Sequence, residues 1–259
     1  MYLFKEIEGV NSNIEGKAKL WRYMDFTKLV SLLSTKSIYL CRSDEFKDVF
    51  EGVLFGYGVE NARDDIEKMY SGLGVSKEII HSQLGKAEKL VDFANKLAEH
   101  NRKNVFINCW HLNEYESAAM WDLYLKSNEG IAIQTTFDKI KRSLNVCKEE
   151  VFIGKVKYID PTKHKNLIES YLEPFFTKRI SFKHEQEVRL VYALTPHHEE
   201  YVENPVEIGK NIQVNLADLI ERVYVSPDAD PWFVDIVKVV LGKFNINVEV
   251  IHSDLYKIK

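Results

Sequence analysis

Lys183-His184-Glu185-Gln186-Glu187-Val188-Arg189-Leu190-Val191-Tyr192 is the stretch on which the reading of this chain turns. Val188, Leu190 and Tyr192 alternate with the period of a β-strand, which predicts a strand over Glu187 to Ala193. A Glu-Gln-Glu triplet runs straight into it. With a period of two, Glu185 and Glu187 are predicted on one side of the strand, about 7 Å apart. Paired acids there suit polarising a hydroxyl, steadying a cation or binding a metal. The structural alternative is ion pairing with Lys183 and Arg189 on a solvated face.

Upstream of that strand the pattern predicts a strand over Val151 to Tyr158 and a helix over Asn166 to Lys178. Asn104 to Trp110 and Gly130 to Thr136 read as strands flanking a helix over Ser117 to Leu125. Leu20 to Tyr23 and Ser37 to Leu40 are short strands on either side of a helix over Thr27 to Leu33. Between about 58 and 103, Ile79, Leu84, Leu90, Phe93 and Leu97 form an apolar stripe among Lys and Glu, which predicts a helical insertion. Downstream, Arg222 to Ser226, Pro231 to Phe244 and Asn247 to Ile251 make a βαβ-like unit at about 222–252, with Asp230-Pro231 starting its helix. Short strands with helices at irregular intervals predict a single α+β domain over 1–259 rather than a doubly wound sheet. No repeat or low-complexity tract interrupts it.

The 259 residues suffice to bury about three quarters of the unfolded surface. At 45% hydrophobic and 29% charged, the composition is that of a globular protein. The net charge of −4 comes with scattered Lys and Arg, so no basic face advertises nonspecific nucleic-acid binding. Three cysteines, Cys41, Cys109 and Cys147, are too few and too spread for a disulfide framework or a zinc site, and fit a reducing compartment. Charge interrupts the first eight residues before a signal-peptide core forms, and no apolar run nears the roughly 20 residues of a membrane span. The expectation is a cytoplasmic protein with no membrane partner.

Several chemistries are set aside. Gly16-Lys17 lacks the Walker glycine, with Asn at position 11 and Ala18 where a magnesium-binding hydroxyl belongs. No Gly-x-Gly-x-x-Gly follows a strand. His197-His198-Glu199-Glu200 reads as a solvated loop rather than a metal site. Within Cys109-Trp110-His111, strand neighbours point to opposite faces, which argues against a Cys–His nucleophile pair. No metal is expected at the Glu-Gln-Glu strand.

What remains is a constellation: Arg22-Tyr23, Asp44 to Glu51, Cys109-Trp110, Met120-Trp121-x-x-Tyr124, the Gly130-Ile131-Ala132-Ile133 strand, and Glu185-x-Glu187-x-Arg189. Together they resemble the bacterial family known as domain of unknown function 2971, over nearly the whole chain. More distantly, the order of Arg22, the segment from Cys109 through Ser117 to Tyr124, and Glu185-x-Glu187 is similar to the ADP-ribosyltransferase superfamily. That superfamily carries His or Arg on its first core strand, a Ser/Thr/Tyr element on a second and a catalytic Glu on a later one. This sequence departs from it at the second element, where Asn108-Cys109-Trp110-His111 stands in place of a Ser-Thr-Ser run.

The resemblance implies a mixed or antiparallel sheet split around a cleft, with NAD as co-substrate and a protein or nucleic-acid acceptor, in the setting of bacterial toxins or phage defence. Breaking the nicotinamide–ribose bond passes through an oxocarbenium-like state that a carboxylate stabilises, the role this assigns to Glu187. Glu185 would orient or deprotonate the acceptor, and Arg22 would hold the nucleotide. Tyr23, Trp110 and Tyr124 would stack on the nicotinamide, with Ser117 nearby. Each has a plainer reading: Arg22 stacked on its aromatic neighbours, Trp110 and Tyr124 in the core, Ser117 as a helix cap, and Asp44, Asp48 and Glu51 solvated or capping. The competing class is a non-enzymatic ligand-binding or protein-interaction module.

Overall fold

The computed structural model describes residues 4–5, 13–54, 58–163, 170–195, 197–198, 201, 203 and 205–258. Its first elements are β1 (Phe4–Lys5), β2 (Lys19–Asp25), α1 (Phe26–Thr35) and β3 (Ser37–Arg42), followed by α2 (Val59–Gly72), α3 (Lys77–Leu84) and α4 (Ala87–Arg102). Then come β4 (Val105–Leu112), α5 (Ala118–Tyr124), β5 (Gly130–Thr136), α6 (Phe137–Ser143), β6 (Val151–Lys155), β7 (Lys157–Ile159), β8 (Thr177–Arg179) and β9 (Glu187–Ala193). The chain continues through β10 (Gly209–Gln213), α7 (Leu216–Leu219), β11 (Arg222–Val225), α8 (Pro231–Lys243) and β12 (Glu249–His252).

Ten strands form one open, mostly antiparallel sheet in the order β1-β6-β9-β4-β2-β5-β11-β12, with β3 and β10 branching from β4. Within it only β1·β6 and β11·β12 pair parallel, the latter closing the C-terminal βαβ unit. The fold is therefore α+β and not a barrel.

The branch at β4 positions the site. One edge of β4 pairs along its length with β9, from Val105↔Ala193 to His111↔Glu187. The other edge is divided: β2 takes Leu112 and His111, while β3 takes Ile107 and Phe106. Between them β4 has no strand partner at 108–110 on that edge, among the described residues.

Alternation sorts the sheet's side chains into two layers. Leu20, Met24, Ile38, Leu40, Trp110, Ile133 and Val188 join Leu29 and Leu33 of α1 and Phe233 of α8 in the main core. On the opposite face Val105, Ile107 and Val191 pack with Phe175 and Phe176, and Trp21, Tyr23 and Ala132 with Met120 and Trp121. The helices α2 to α4 have a small core of their own around Ala62, Ile66 and Ala87. Part of their predicted stripe lies outside it, Phe93 being 63% and Leu97 45% exposed.

Two sequence expectations need correcting. The strand over Val151 to Tyr158 is broken at Val156 into β6 and β7. Of the helix over Asn166 to Lys178, residues 166–169 lie outside the described residues, and the rest is a 3-10 turn, Glu173–Phe176, followed by β8. Pro174 stands in the first turn, Phe175 and Phe176 bury themselves against β9, and pairing with β7 holds Thr177–Arg179 extended. The strand β10 and helix α6 had no separate sequence assignment. No helix among the described residues is long and apolar enough to cross a membrane.

Candidate functional site

Glu187 opens β9 and is 2% exposed; its backbone N–H donates to the Tyr158 hydroxyl at 2.8 Å. Glu185 is not on that strand. It ends a 3-10 helix, Ile180–Glu185, and Gln186 between the two acids takes a left-handed backbone, φ 39°. The acids nevertheless converge, by a turn rather than by the pleat: Lys178 Nζ donates to Glu185 Oε2 at 2.7 Å and to Glu187 Oε1 at 2.6 Å. The sequence pairing with Lys183 is thus replaced by Lys178, while the pairing of Glu187 with Arg189 holds, Nε to Oε2 at 2.6 Å.

Arg189 carries the cluster into the interior. Its side chain is fully buried and donates in bidentate fashion to Glu51 at 2.5 and 2.9 Å, and to the Phe175 carbonyl at 2.6 Å. The solvated reading of Asp48 and Glu51 is therefore overturned. Glu51 has no exposed side-chain surface, and Asp48 accepts from Arg179 at 2.9 Å, whose guanidinium lies over the Phe50 ring. Asp44 pairs with Arg42 at 2.6 Å. For Asp48 and Glu51, basic partners more than 130 residues away supply what desolvation requires, whereas the partner of Asp44 is local.

The two convergent acids are pushed apart in acidity. Burial, then the hydrogen bond and charge of Glu187, push the Glu185 carboxyl up to about 7. Burial also opposes ionisation of Glu187, but Arg189, Glu185 and Lys178 together hold it well below the usual carboxylate range. Glu185 thus holds a proton below about pH 7, directed to ionised Glu187, and loses it as pH rises through that value.

A cavity of about 480 Å³ occupies the gap where β2 and β3 part along β4. Six of the seven residues nominated from sequence line it: Arg22, Tyr23, Trp110, Tyr124, Glu185 and Glu187. Ser117 is outside the wall. It precedes α5, and its backbone N–H donates to the Tyr23 hydroxyl at 2.8 Å, so Tyr23 fixes the start of the helix that carries Tyr124. Trp110 belongs to both cavity wall and core.

Arg22 Nη1 donates to the Cys109 carbonyl at 2.7 Å, the carbonyl that the gap leaves without a strand partner. It has no acidic partner among the described residues, and burial lowers its pKa. Tyr124 senses Cys109, Glu185, Glu187 and Arg22, with burial as the main cause of its raised pKa. A guanidinium and a carboxyl pair therefore share one cavity.

Two residues of β4 were misread or missed. Cys109 and His111, two apart, share a face, since they pair with Arg189 and Glu187 in register. They still make no nucleophile pair, because burial pushes the Cys109 thiol well above its ordinary value. The His111 Nδ1–H donates to the Glu185 carbonyl at 2.7 Å, and burial holds its pKa down, so the neutral ring braces the turn that carries Glu185. Lys178, Glu51 and Tyr158 also escaped the sequence reading. Of these, only Glu51 lay in a motif already singled out.

Among the described residues, no group of three or more His, Cys, Asp or Glu side chains is arranged to hold a metal. Glu199 and Glu200 of the His-His-Glu-Glu segment lie outside the described residues. No curated protein and no solved structure matches the chain. A family model described as protein of unknown function, DUF2971, matches residues 120–190, a span running from Met120 through Glu185, Glu187 and Arg189, and so supports the resemblance to that family.

Proposed function

We propose that this chain is an ADP-ribosyltransferase-like enzyme that consumes NAD and transfers ADP-ribose to a protein or nucleic-acid acceptor. The observation that carries the reading is the meeting of an acid-free Arg22 guanidinium and the Glu185/Glu187 pair on the wall of one 480 Å³ cavity. That size is within the range of small-molecule sites, and a half-buried arginine without a carboxylate calls for an anion such as a phosphate.

In this scheme Arg22 holds the pyrophosphate and Tyr124 or Trp110 packs on the nicotinamide. The C1′–N bond breaks with its electron pair leaving on nicotinamide, and the negative charge of Glu187 stabilises the oxocarbenium-like state. An acceptor oxygen or nitrogen bonds to C1′ and gives its proton to Glu185, which serves as base in its ionised form, the form that grows as pH rises through about 7. Both acids bind the one Lys178 ammonium, at 2.7 and 2.6 Å, so they stand side by side as a pair rather than flanking a bond as the two acids of a glycosidase do. Their roles are accordingly those of base and fixed charge.

One observation favours the binding-module reading. Both Glu187 oxygens are engaged, by Lys178 and by Arg189, leaving less capacity for a ribose hydroxyl. Nicotinamide release and label transfer from labelled NAD separate the two. The enzyme reading expects both activities in the wild type, with large losses in Glu185→Gln and Glu187→Gln. Tight NAD binding without nicotinamide release in any acceptor mixture would instead establish the binding module.

A further inference from the structure

We propose that Glu51, on the segment leading into the helices α2 to α4, is a positioning residue that sets the charge state of the Glu185/Glu187 pair through Arg189. This deepens the enzyme reading above and rests on the same cavity.

Glu51 reaches Arg189 across 138 residues of sequence, and the two side chains have no exposed surface. The approach is built in. Gly52 next to it has φ +70°, and a Cβ at that position would run into the Phe175 ring. The Phe175 carbonyl in turn accepts from Arg189 Nη1. The Glu51–Gly52 bend and the Phe175 turn packed against it therefore place an acid and a carbonyl around the same guanidinium. With Nη1 and Nη2 turned to Glu51 and the Phe175 carbonyl, Arg189 presents its Nε–H to Glu187 and holds that carboxylate at the mouth of β9.

The charges follow. Lys178 and Arg189 are two cations; Glu51, Glu187 and Glu185 are three acids. Burial raises the Glu51 carboxyl above its ordinary value and the bidentate contact with Arg189 works against that rise; with Glu51 and Glu187 ionised and Glu185 protonated the cluster is neutral, and ionising Glu185 leaves one uncompensated negative charge. Around Glu185 itself stand Glu187 and Lys178, the Tyr124 and Tyr158 phenols, His111 on its own carbonyl and His184 beside it. Glu51 is the remote acid whose charge keeps this balance. Removing that charge makes Glu185 easier to ionise, whereas shortening the side chain moves the guanidinium.

The test is a carboxyl-carbon NMR titration of Glu185 in the full chain, with the Arg189 Nε–H signal as a second readout. Glu51→Gln is expected to lower the Glu185 midpoint by about half a unit or more. Glu51→Asp keeps the charge and is expected to displace the Arg189 signal. An unshifted midpoint in folded Glu51→Gln, or an unmoved Arg189 signal in Glu51→Asp, overturns the proposal, so either variant suffices if the other does not fold. If the wild type cleaves NAD, the rise of nicotinamide release with pH moves to lower pH in Glu51→Gln, in kcat rather than KM. A wild type that releases no nicotinamide removes the enzyme reading and leaves the titration to decide the role of Glu51.

Discussion

Lys178→Met is the perturbation that bears most directly on the carboxyl cluster. Lys178 is 7% exposed and its ammonium touches both acids, at 2.7 and 2.6 Å. Deleting one partner of a buried ion pair typically costs about 3–5 kcal/mol. The cost at about pH 6 is smaller, because Glu187 keeps Arg189 and Glu185, at about 7, is mostly protonated there. About 2–3 kcal/mol is expected, a fall in Tm of roughly 5–10 °C for a chain of this size. The sign of the pH dependence is also fixed. The folded carboxyl of Glu185, at about 7, lies above its ordinary value of 4.5, so its contribution is fully present below about 4.5 and is lost as pH rises through 7. Without the ammonium that carboxyl is pushed higher still, so the deficit of the variant grows with pH. Urea unfolding at about pH 6 and about pH 8.5 measures both effects. A loss below about 1 kcal/mol, equal at the two values, would refute a coupled buried cluster.

Three further outcomes are expected. Gly52→Ala forces a left-handed backbone on a residue with a Cβ and drives it at the Phe175 ring, and a thermal melt should show a loss of about 2–4 kcal/mol. Tyr23→Phe removes the acceptor of the Ser117 N–H, costs about 1 kcal/mol and loosens the start of α5, which hydrogen exchange at Ser117 to Trp121 would report. Calorimetry with ADP-ribose should show affinity falling as pH rises through about 7, as Glu185 ionises and adds a negative charge to the cavity, and being largely lost in Arg22→Gln; binding independent of both would remove Arg22 as the anion contact.

What the sequence disclosed and what it hid divide along physical lines. β5 and β9 were legible to the residue because each is an apolar or alternating run bounded by turn or charge signals. β8 was not, since Thr177-Lys178-Arg179 has no apolar signal and is extended only by pairing with β7. That misreading concealed Lys178 inside a predicted helix. Glu51 was concealed differently. Asp44, Asp48 and Glu51 recur at the spacing of a solvated helix face, and the cation that buries Glu51 lies 138 residues away. Arg22, Tyr124 and the two glutamates, which line one cavity, could be nominated from sequence because chemistry-bearing residues stand at strand mouths and beside aromatic residues. The turn at Gln186 that brings the acids together depends on a left-handed non-glycine residue, for which the sequence carries no strong mark.

The divided edge of β4 explains why these groups meet. A strand flanked by one neighbour on one side and two on the other must leave part of its backbone unpaired where those two separate, and a buried unpaired carbonyl is costly. Arg22, on the strand nearest the gap, meets that demand at Cys109. A guanidinium serves the carbonyl with one N–H and presents its remaining donors in a planar fork that fits the oxygens of an anion, a geometry that an ammonium lacks. The same gap keeps neighbouring strands from covering Glu185 and Glu187, which reach it from the β9 side of β4. Backbone topology thus creates the space, the need to satisfy one carbonyl places the cation, and the buried Lys178–Arg189–Glu51 cluster holds the acids on the wall of the same cavity. A strand that closed the gap by pairing with 108–110 would remove all three together.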